Sequence, residues 1–263
     1  MKKSMAALML AVSVLFTGCS AAGNGSKGVE DIQKIKDRGV LKVGVKVDIP
    51  KYGYKDPKTG KIEGLEIDIA KQIAKKILGD ENKIEMQAVT SKTRGPLLDS
   101  GEADLIAATF TITEERKKSY NFSEPYIKDG VGLLVKKSAG FKSYKDLDGK
   151  KIGVAQSATS KKALQEEANK LGIKVQFLEF GSFPEIKAAL DSGRVDCFSV
   201  DTSILSGYLD DNTEILPDRF SLQEYGIASK KTNTELAKVV NETIADMKKS
   251  GELDKLIKKW GIN

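Results

Sequence analysis

Two rhythms of apolar residues alternate along the chain. Short β-branched runs, "LKVGVKV" (41–47), "LIAATFT" (105–111), "KKIGVAQ" (150–156) and "CFSVDTS" (197–203), read as strands. Between them lie segments of helical period. "EIDIAKQIAKKIL" (66–78) repeats its apolar residues at i, i+1, i+4, i+5 and i+8, and "SKKALQEEANKLG" (160–172) has Ser160 as an N-cap and Gly172 as a C-cap candidate. The pattern is duplicated. "LDSGEAD" (98–104) returns as "LDSGRVD" (190–196) with five of seven residues identical, each copy after a helical stretch and before a strand. Each unit also opens on a Gly-containing strand, at Gly44 and Gly153. The first unit is the longer, through the turn-rich "YGYKDPKTGKIEG" (52–64). The expectation is an α/β fold of two β–α–β–α–β lobes, each a doubly wound sheet with right-handed crossovers.

Two strand-like, Gly-containing stretches, "YIKDGVGLLVKK" (126–137) and "LQEYGIASKK" (222–231), read as the crossings between lobes. Lobe one is then discontinuous, 29–130 and 226–263, and lobe two spans 131–225. Helices over 234–249 and 251–260 are expected to pack on lobe one, with Trp260 in its core.

The first residues carry a different signal. Lys2 and Lys3 precede an apolar run, Met5 to Phe16, shorter than the ~20 residues of a spanning helix. This reads as an export signal over 1–18. It ends in "LFTGCS", which resembles a bacterial lipobox ending at Cys19, although Phe16 stands where that motif usually has leucine. "SAAGNGSKG" (20–28) follows as a flexible tether, so 19–28 is expected to carry a lipid at Cys19 and a linker.

Composition narrows the chemistry. Charged residues make up 30 % of the chain and hydrophobic ones 40 %, as in an ordinary folded domain. Removing 1–18 takes away two lysines and no acid, lowering the formal net charge from +6 to +4. That is too mild and too scattered for a nucleic-acid partner. With Cys19 lipidated, Cys197 has no intrachain partner and reads as a small buried residue. There is no histidine, which removes His-based triads and His metal sites.

Ligands of open α/β sheets gather at the carboxyl ends of the strands. The repeat places Lys46, Thr109, Thr111, Arg116, Thr159 and Asp201 there. One acid, two bases and several hydroxyls suit a small zwitterion.

"GLEIDIAKQIAKKI" (64–77), "TFTITEERKKSYNFSEPY" (109–126), "KKIGVAQSAT" (150–159) and "RVDCFSVD" (194–201) resemble the type II periplasmic amino-acid-binding proteins of ABC importers, solute-binding protein family 3. The likeness covers nearly all of 35–261. It implies that Arg116 clamps the substrate α-carboxylate through its planar fork of donors. It implies hydroxyl and backbone contacts at Thr109 and Thr111, donors from a helix N-terminus at Thr159, and an α-ammonium acceptor at Asp201. It further implies a monomer without metal or cofactor, not an enzyme, lipid-anchored outside the cytoplasm, whose closed face is read by a membrane permease.

The side-chain end of the ligand is the sharper question. Lys46 falls where relatives that bind basic amino acids place an aspartate. Ile49 and Ser91 fall where relatives often have a sandwiching aromatic pair. Arg94 lies in "SKTRGPLL" (91–98), a loop the family presents to the cleft. The chain resembles the aspartate/glutamate-binding lipoproteins in particular. Arg116 and Asp201 cancel against a zwitterion, leaving Lys46 and Arg94 for a second carboxylate, so aspartate or glutamate is the expected ligand. Glutamine is the alternative, since Thr202 stands where those relatives carry a lysine. A cyclohexadienyl-dehydratase-like enzyme on the same fold is a further alternative. It would need a catalytic acid, and Glu63 and Glu66 are not placed in the cleft by the sequence.

Overall fold

The computed structural model describes residues 29–262. The export signal, Cys19 and the tether lie outside the described residues. The chain begins with α1 (Val29–Arg38), β1 (Leu41–Val45), β2 (Asp48–Ile49), β3 (Gly53–Lys55), β4 (Ile62–Glu63), α2 (Leu65–Leu78), β5 (Ile84–Ala88), α3 (Arg94–Ser100), β6 (Leu105–Ala107), α4 (Glu114–Ser119) and β7 (Tyr120–Phe122). It crosses to the second lobe along β8 (Ile127–Lys136). There it forms β9 (Lys151–Ala155), α5 (Ser160–Leu171), β10 (Gln176–Phe180), α6 (Phe183–Asp191), β11 (Cys197–Asp201), α7 (Thr202–Leu205) and β12 (Thr213–Ile215). It returns by β13 (Phe220–Tyr225) and closes with β14 (Ala228–Lys230), α8 (Thr234–Ser250) and α9 (Glu252–Lys259).

The two lobes repeat one topology. In the first sheet, ordered β5-β1-β6-β14-β7, β1 lies parallel between β5 and β6. In the second, ordered β10-β9-β11-β8-β12, β9 lies parallel between β10 and β11. Each sheet holds one strand antiparallel to its core, β14 in one and β8 in the other; β7 pairs antiparallel with β14, and β12 and β13 pair antiparallel with β8.

The repeated heptapeptide has a structural cause. Its glycine ends the preceding helix in the left-handed region, at φ 79° for Gly101 and 76° for Gly193. Its final aspartate ties the next strand to the central one. Asp104 Oδ2 accepts from the Lys42 amide at 2.8 Å, and Asp196 Oδ2 accepts from the Lys151 amide at 2.8 Å. The two amides hold the same place, two residues before Gly44 and Gly153. Those glycines are also forced: a Cβ would lie 2.5 Å from Ile106 Cδ1 in one lobe and 2.6 Å from Ile186 Cγ2 in the other.

Helix α2 buries Leu65, Ile67, Ile69, Ala70, Ile73, Ala74 and Ile77, more than one face, because the first sheet covers one side and α8 the other. Trp260 is a correction to the sequence expectation. It is half-buried at the rim of that core, and its indole N–H donates to Asp68 Oδ2 at 2.8 Å. The polar handle of the ring keeps it at the edge.

Candidate functional site

The strand ends of both lobes face one another across a cleft. Ser91, Arg94, Thr109 and Thr111 line it from the first lobe, and Ala158, Thr159, Ser160, Phe183, Val200, Asp201 and Ile204 from the second. The cleft is narrow, a cavity of about 10 Å³ with room for about one water. Five of the residues singled out in the sequence therefore meet here: Arg94, Thr109, Thr111, Thr159 and Asp201.

Asp201 ends β11 and is 4 % exposed. It has the backbone of a helix N-cap before α7, yet its side chain makes no cap bond. Its Oδ2 accepts instead from the Tyr225 hydroxyl, while Oδ1 is buried with no partner. Burial lifts its carboxyl from the ordinary 3.8 to about 7, against the pull of Tyr225, Arg94 and Arg116. An unpartnered buried carboxylate oxygen is a ready acceptor for a ligand cation.

Arg116 is placed by the start of α4, where Thr113 caps the helix by accepting the Arg116 amide at 3.1 Å. Its guanidinium lies beside this cleft and lies over the Phe110 ring at 4.7 Å. Nη1 donates to Thr111 O at 2.7 Å, and Nη2 crosses to the other lobe, donating to Ser157 O at 3.0 Å. Thr159 precedes α5, and its hydroxyl donates to Gln223 Oε1 at 2.7 Å rather than capping the helix. Thr109 (φ 44°) and Ser157 (φ 61°) are non-glycine residues in the left-handed region, one on each side of the cleft. Such strain persists only where the surroundings over-determine it.

The basic residues have more company than the sequence reading allowed. Lys46 is 1 % exposed; its ammonium lies 3.0 Å from Asp48 Oδ1 and 4.7 Å from the centre of the Phe183 ring. Arg94 opens α3, buried over Phe110 at 4.2 Å, with Nη1 donating to Ala108 O at 2.7 Å and Thr109 O at 2.9 Å. Glu66, in the first turn of α2, is fully buried, and burial raises its carboxyl to about 7, with Arg94 and Lys46 drawing it back down. So Lys46 and Arg94 are not two uncompensated charges. Asp48 and Glu66 offset them, which removes the premise for expecting aspartate or glutamate.

Residues 41–263 match the bacterial extracellular solute-binding proteins, family 3. The chain belongs to that family. It is a binding protein rather than an enzyme, of the class that serves amino-acid ABC importers, and its family acts outside the cytoplasm. Among the described residues no helix is long and apolar enough to cross a membrane. The ABC transporter glutamine-binding protein of Bacillus subtilis (strain 168) is 41 % identical over 270 residues, covering 99 % of this chain and 97 % of that protein. The glutamine-binding protein of Geobacillus stearothermophilus is 46 % identical over 221 residues, covering 83 % of each. A solved ancestral arginine-binding protein bound to glutamine is 40 % identical with a TM-score of 0.76, covering 85 % of this chain and 98 % of that one. The particular likeness to aspartate/glutamate-binding lipoproteins thus gives way to glutamine-binding relatives.

Several residues in and behind the cleft escaped the sequence. Phe183 is the aromatic residue that lines the cleft. Its signal was present: Ser182 caps α6 and Pro184 enters its first turn, so "GSFPE" marks the start of the helix after the second β–α unit. Arg94 stands at the first residue of α3, the corresponding helix of lobe one. Tyr52, Tyr126 and Tyr225 pack on one another with ring centres 5.9 and 6.3 Å apart, and their hydroxyls serve Ser203, Glu66 and Asp201. Nothing in their spacing foretold that cluster.

Proposed function

We propose that this chain captures L-glutamine between its two lobes and delivers it to the permease of an ABC importer. The observation that carries the reading is the charge balance of the cleft. Lys46, Arg94 and Arg116 stand against Asp48, Glu66 and Asp201, with Asp129 a further acid behind Asp201, so no cation is left in excess to demand a second ligand carboxylate. Glutamine-binding relatives of high coverage support the same ligand. In this reading Arg116 and the amides around Thr111 and Thr159 hold the α-carboxylate, and Asp201 Oδ1 accepts the α-ammonium. Thr109, Arg94, Phe183 and, behind them, Lys46 shape the side-chain end. The ribbon of β8 and β13, with lobe boundaries at 130/131 and 225/226, is the hinge, and closure is favoured by contacts made to both lobes. Calorimetry with glutamine, glutamate, aspartate and arginine is the test. Glutamine should bind most tightly, and a tighter fit for glutamate or arginine would refute the assignment.

The anchor is part of the same proposal. Lipid on Cys19 holds the protein at the membrane, and the 19–28 tether, ~30 Å when extended, lets it turn toward a permease. Cys19→Ser is expected to shift the protein from the membrane fraction to the soluble one. Continued membrane retention after signal processing would exclude lipidation at this residue.

A further inference from the structure

Glu66 is 0 % exposed. Its Oε1 accepts from the Thr109 amide and from the Tyr126 hydroxyl, and its Oε2 is buried with no partner. The Thr109 amide belongs to the same peptide unit as the Ala108 carbonyl, which accepts from Arg94. One peptide at the end of β6 is thus held by an anion at its N–H and by a cation at its C=O. That peptide leads into the left-handed Thr109, a wall of the cleft. Lys46 has its own counter-ion in Asp48. The bonds Arg94 makes go to carbonyl oxygens, and its Nε has no partner. The carboxylate across the peptide from it is Glu66.

We infer that Glu66 is a specificity-determining residue, keeping the side-chain end of the cleft neutral so that it accepts an amide and refuses the matching carboxylate. The inference rests on the glutamine reading and deepens it. Glu66 acts through Arg94 and Lys46, as a positioning residue behind the wall. With its charge in place, a ligand carboxylate would meet a compensated cation and lose its hydration for little return. With that charge removed, Arg94 keeps only the pull of Asp201, which the ligand ammonium engages, and a ligand carboxylate takes over the role of counter-ion. The attraction of Glu66 for each base accords with this: it shifts both Lys46 and Arg94 toward their charged forms, against burial and against the repulsion between the two cations.

The test measures the ratio of glutamate to glutamine affinity by calorimetry at pH 8. Glu66→Gln should raise that ratio by about tenfold or more, the equivalent of ~1.4 kcal/mol. Tyr126→Phe removes a hydrogen bond to Glu66 without touching its charge. It should lower the melting temperature and leave the ratio within about twofold, far below the decade that 1.4 kcal/mol represents. An unmoved ratio in Glu66→Gln, or an equal shift in Tyr126→Phe, overturns the inference. Should Glu66→Gln fail to fold, Arg94→Gln carries the test with the opposite sign. It leaves Glu66 in excess and must lower the ratio, and a rise there would overturn the inference as well. Wild type preferring glutamate would instead refute the glutamine reading itself, before any substitution at Glu66.

Discussion

Asp201→Asn is expected to remove amino-acid binding while leaving the ligand-free protein at least as stable as wild type. Both halves follow from burial. The carboxylate sits almost fully buried with one oxygen on Tyr225 and the other unpartnered. Replacing it with an amide of the same shape relieves a desolvated charge, so the melting temperature without ligand should hold or rise. Binding is another matter. A ligand ammonium brought to this position would lose its charged acceptor inside a closed cleft, at ~2–5 kcal/mol, roughly 30- to 5,000-fold in affinity. The pH profile gives a second reading of the same group. Its folded value, about 7, lies above the ordinary 3.8. The raised acid means that the ligand-free fold gains stability from this group as pH falls from 7 toward 4, and is least supported by it above 7. Binding an ammonium requires the ionised form, so wild-type affinity should weaken as pH drops below 7, and the asparagine variant should lose that slope. Calorimetry at pH 5.5 and 8 checks both. An asparagine variant that titrates normally would remove Asp201 from the site.

Gly64→Ala is expected to be the most damaging single methyl in the first lobe. Gly64 precedes α2 at φ 143°, a region that L side chains rarely adopt. A Cβ there would lie 2.1 Å from Tyr52 O and 2.3 Å from Tyr52 C. Those are backbone atoms, and they are pinned, because Tyr52 O accepts from the Glu66 amide at 3.0 Å and Lys51 O accepts from the Leu65 amide at 2.8 Å. Strain of ~1–3 kcal/mol adds to overpacking of similar size, about 2–6 kcal/mol together. For a domain pair of this size that lowers the melting temperature by roughly 5–20 °C. Gly79→Ala is the control. It is also left-handed, at φ 74°, but nothing lies within 4 Å of its would-be Cβ. It should cost about 1 kcal/mol. Equal melting temperatures for the two variants would show that the Tyr52 contact yields. Since Glu66 and Tyr52 hang on this turn, the Gly64 variant should also bind less tightly than its residual folded fraction explains.

The duplicated architecture was legible because its cause is local and covalently close. A heptapeptide whose glycine ends a helix and whose aspartate caps a strand must recur wherever that junction recurs, and both copies kept those residues. The cleft positions Thr109 and Asp201 were legible for the same reason, since each stands five residues beyond the repeated aspartate. What escaped depended on long-range packing. Glu66 sits on a helix whose pattern announces only an apolar face, and the tertiary fold alone turns its first turn toward Lys46 and Arg94. Asp48 is two residues from Lys46, yet Lys46 lies in the break between β1 and β2, where strand alternation does not fix which way the two side chains turn. Reading charge one residue at a time made two bases look unopposed. The acids that balance them come from β2 and α2, and their meeting is a property of the fold.

The uneven bookkeeping of strands has a consequence for how the molecule assembles. The second sheet draws all its members from one uninterrupted stretch, β8 through β13. The first sheet leaves a gap between β6 and β7 that is filled by β14, which arrives only after that whole stretch has passed. Lobe two can therefore condense from neighbours in sequence, whereas lobe one must wait for a contact that spans the other lobe, at a larger loss of chain entropy. Until β14 docks, the facing edges of β6 and β7 stay unpaired, and an open strand edge is where wrong partners add. The interval before β14 seats is thus when this chain is most exposed to misassembly, and folding of lobe two, which brings residue 225 back beside residue 127, shortens the search that ends it.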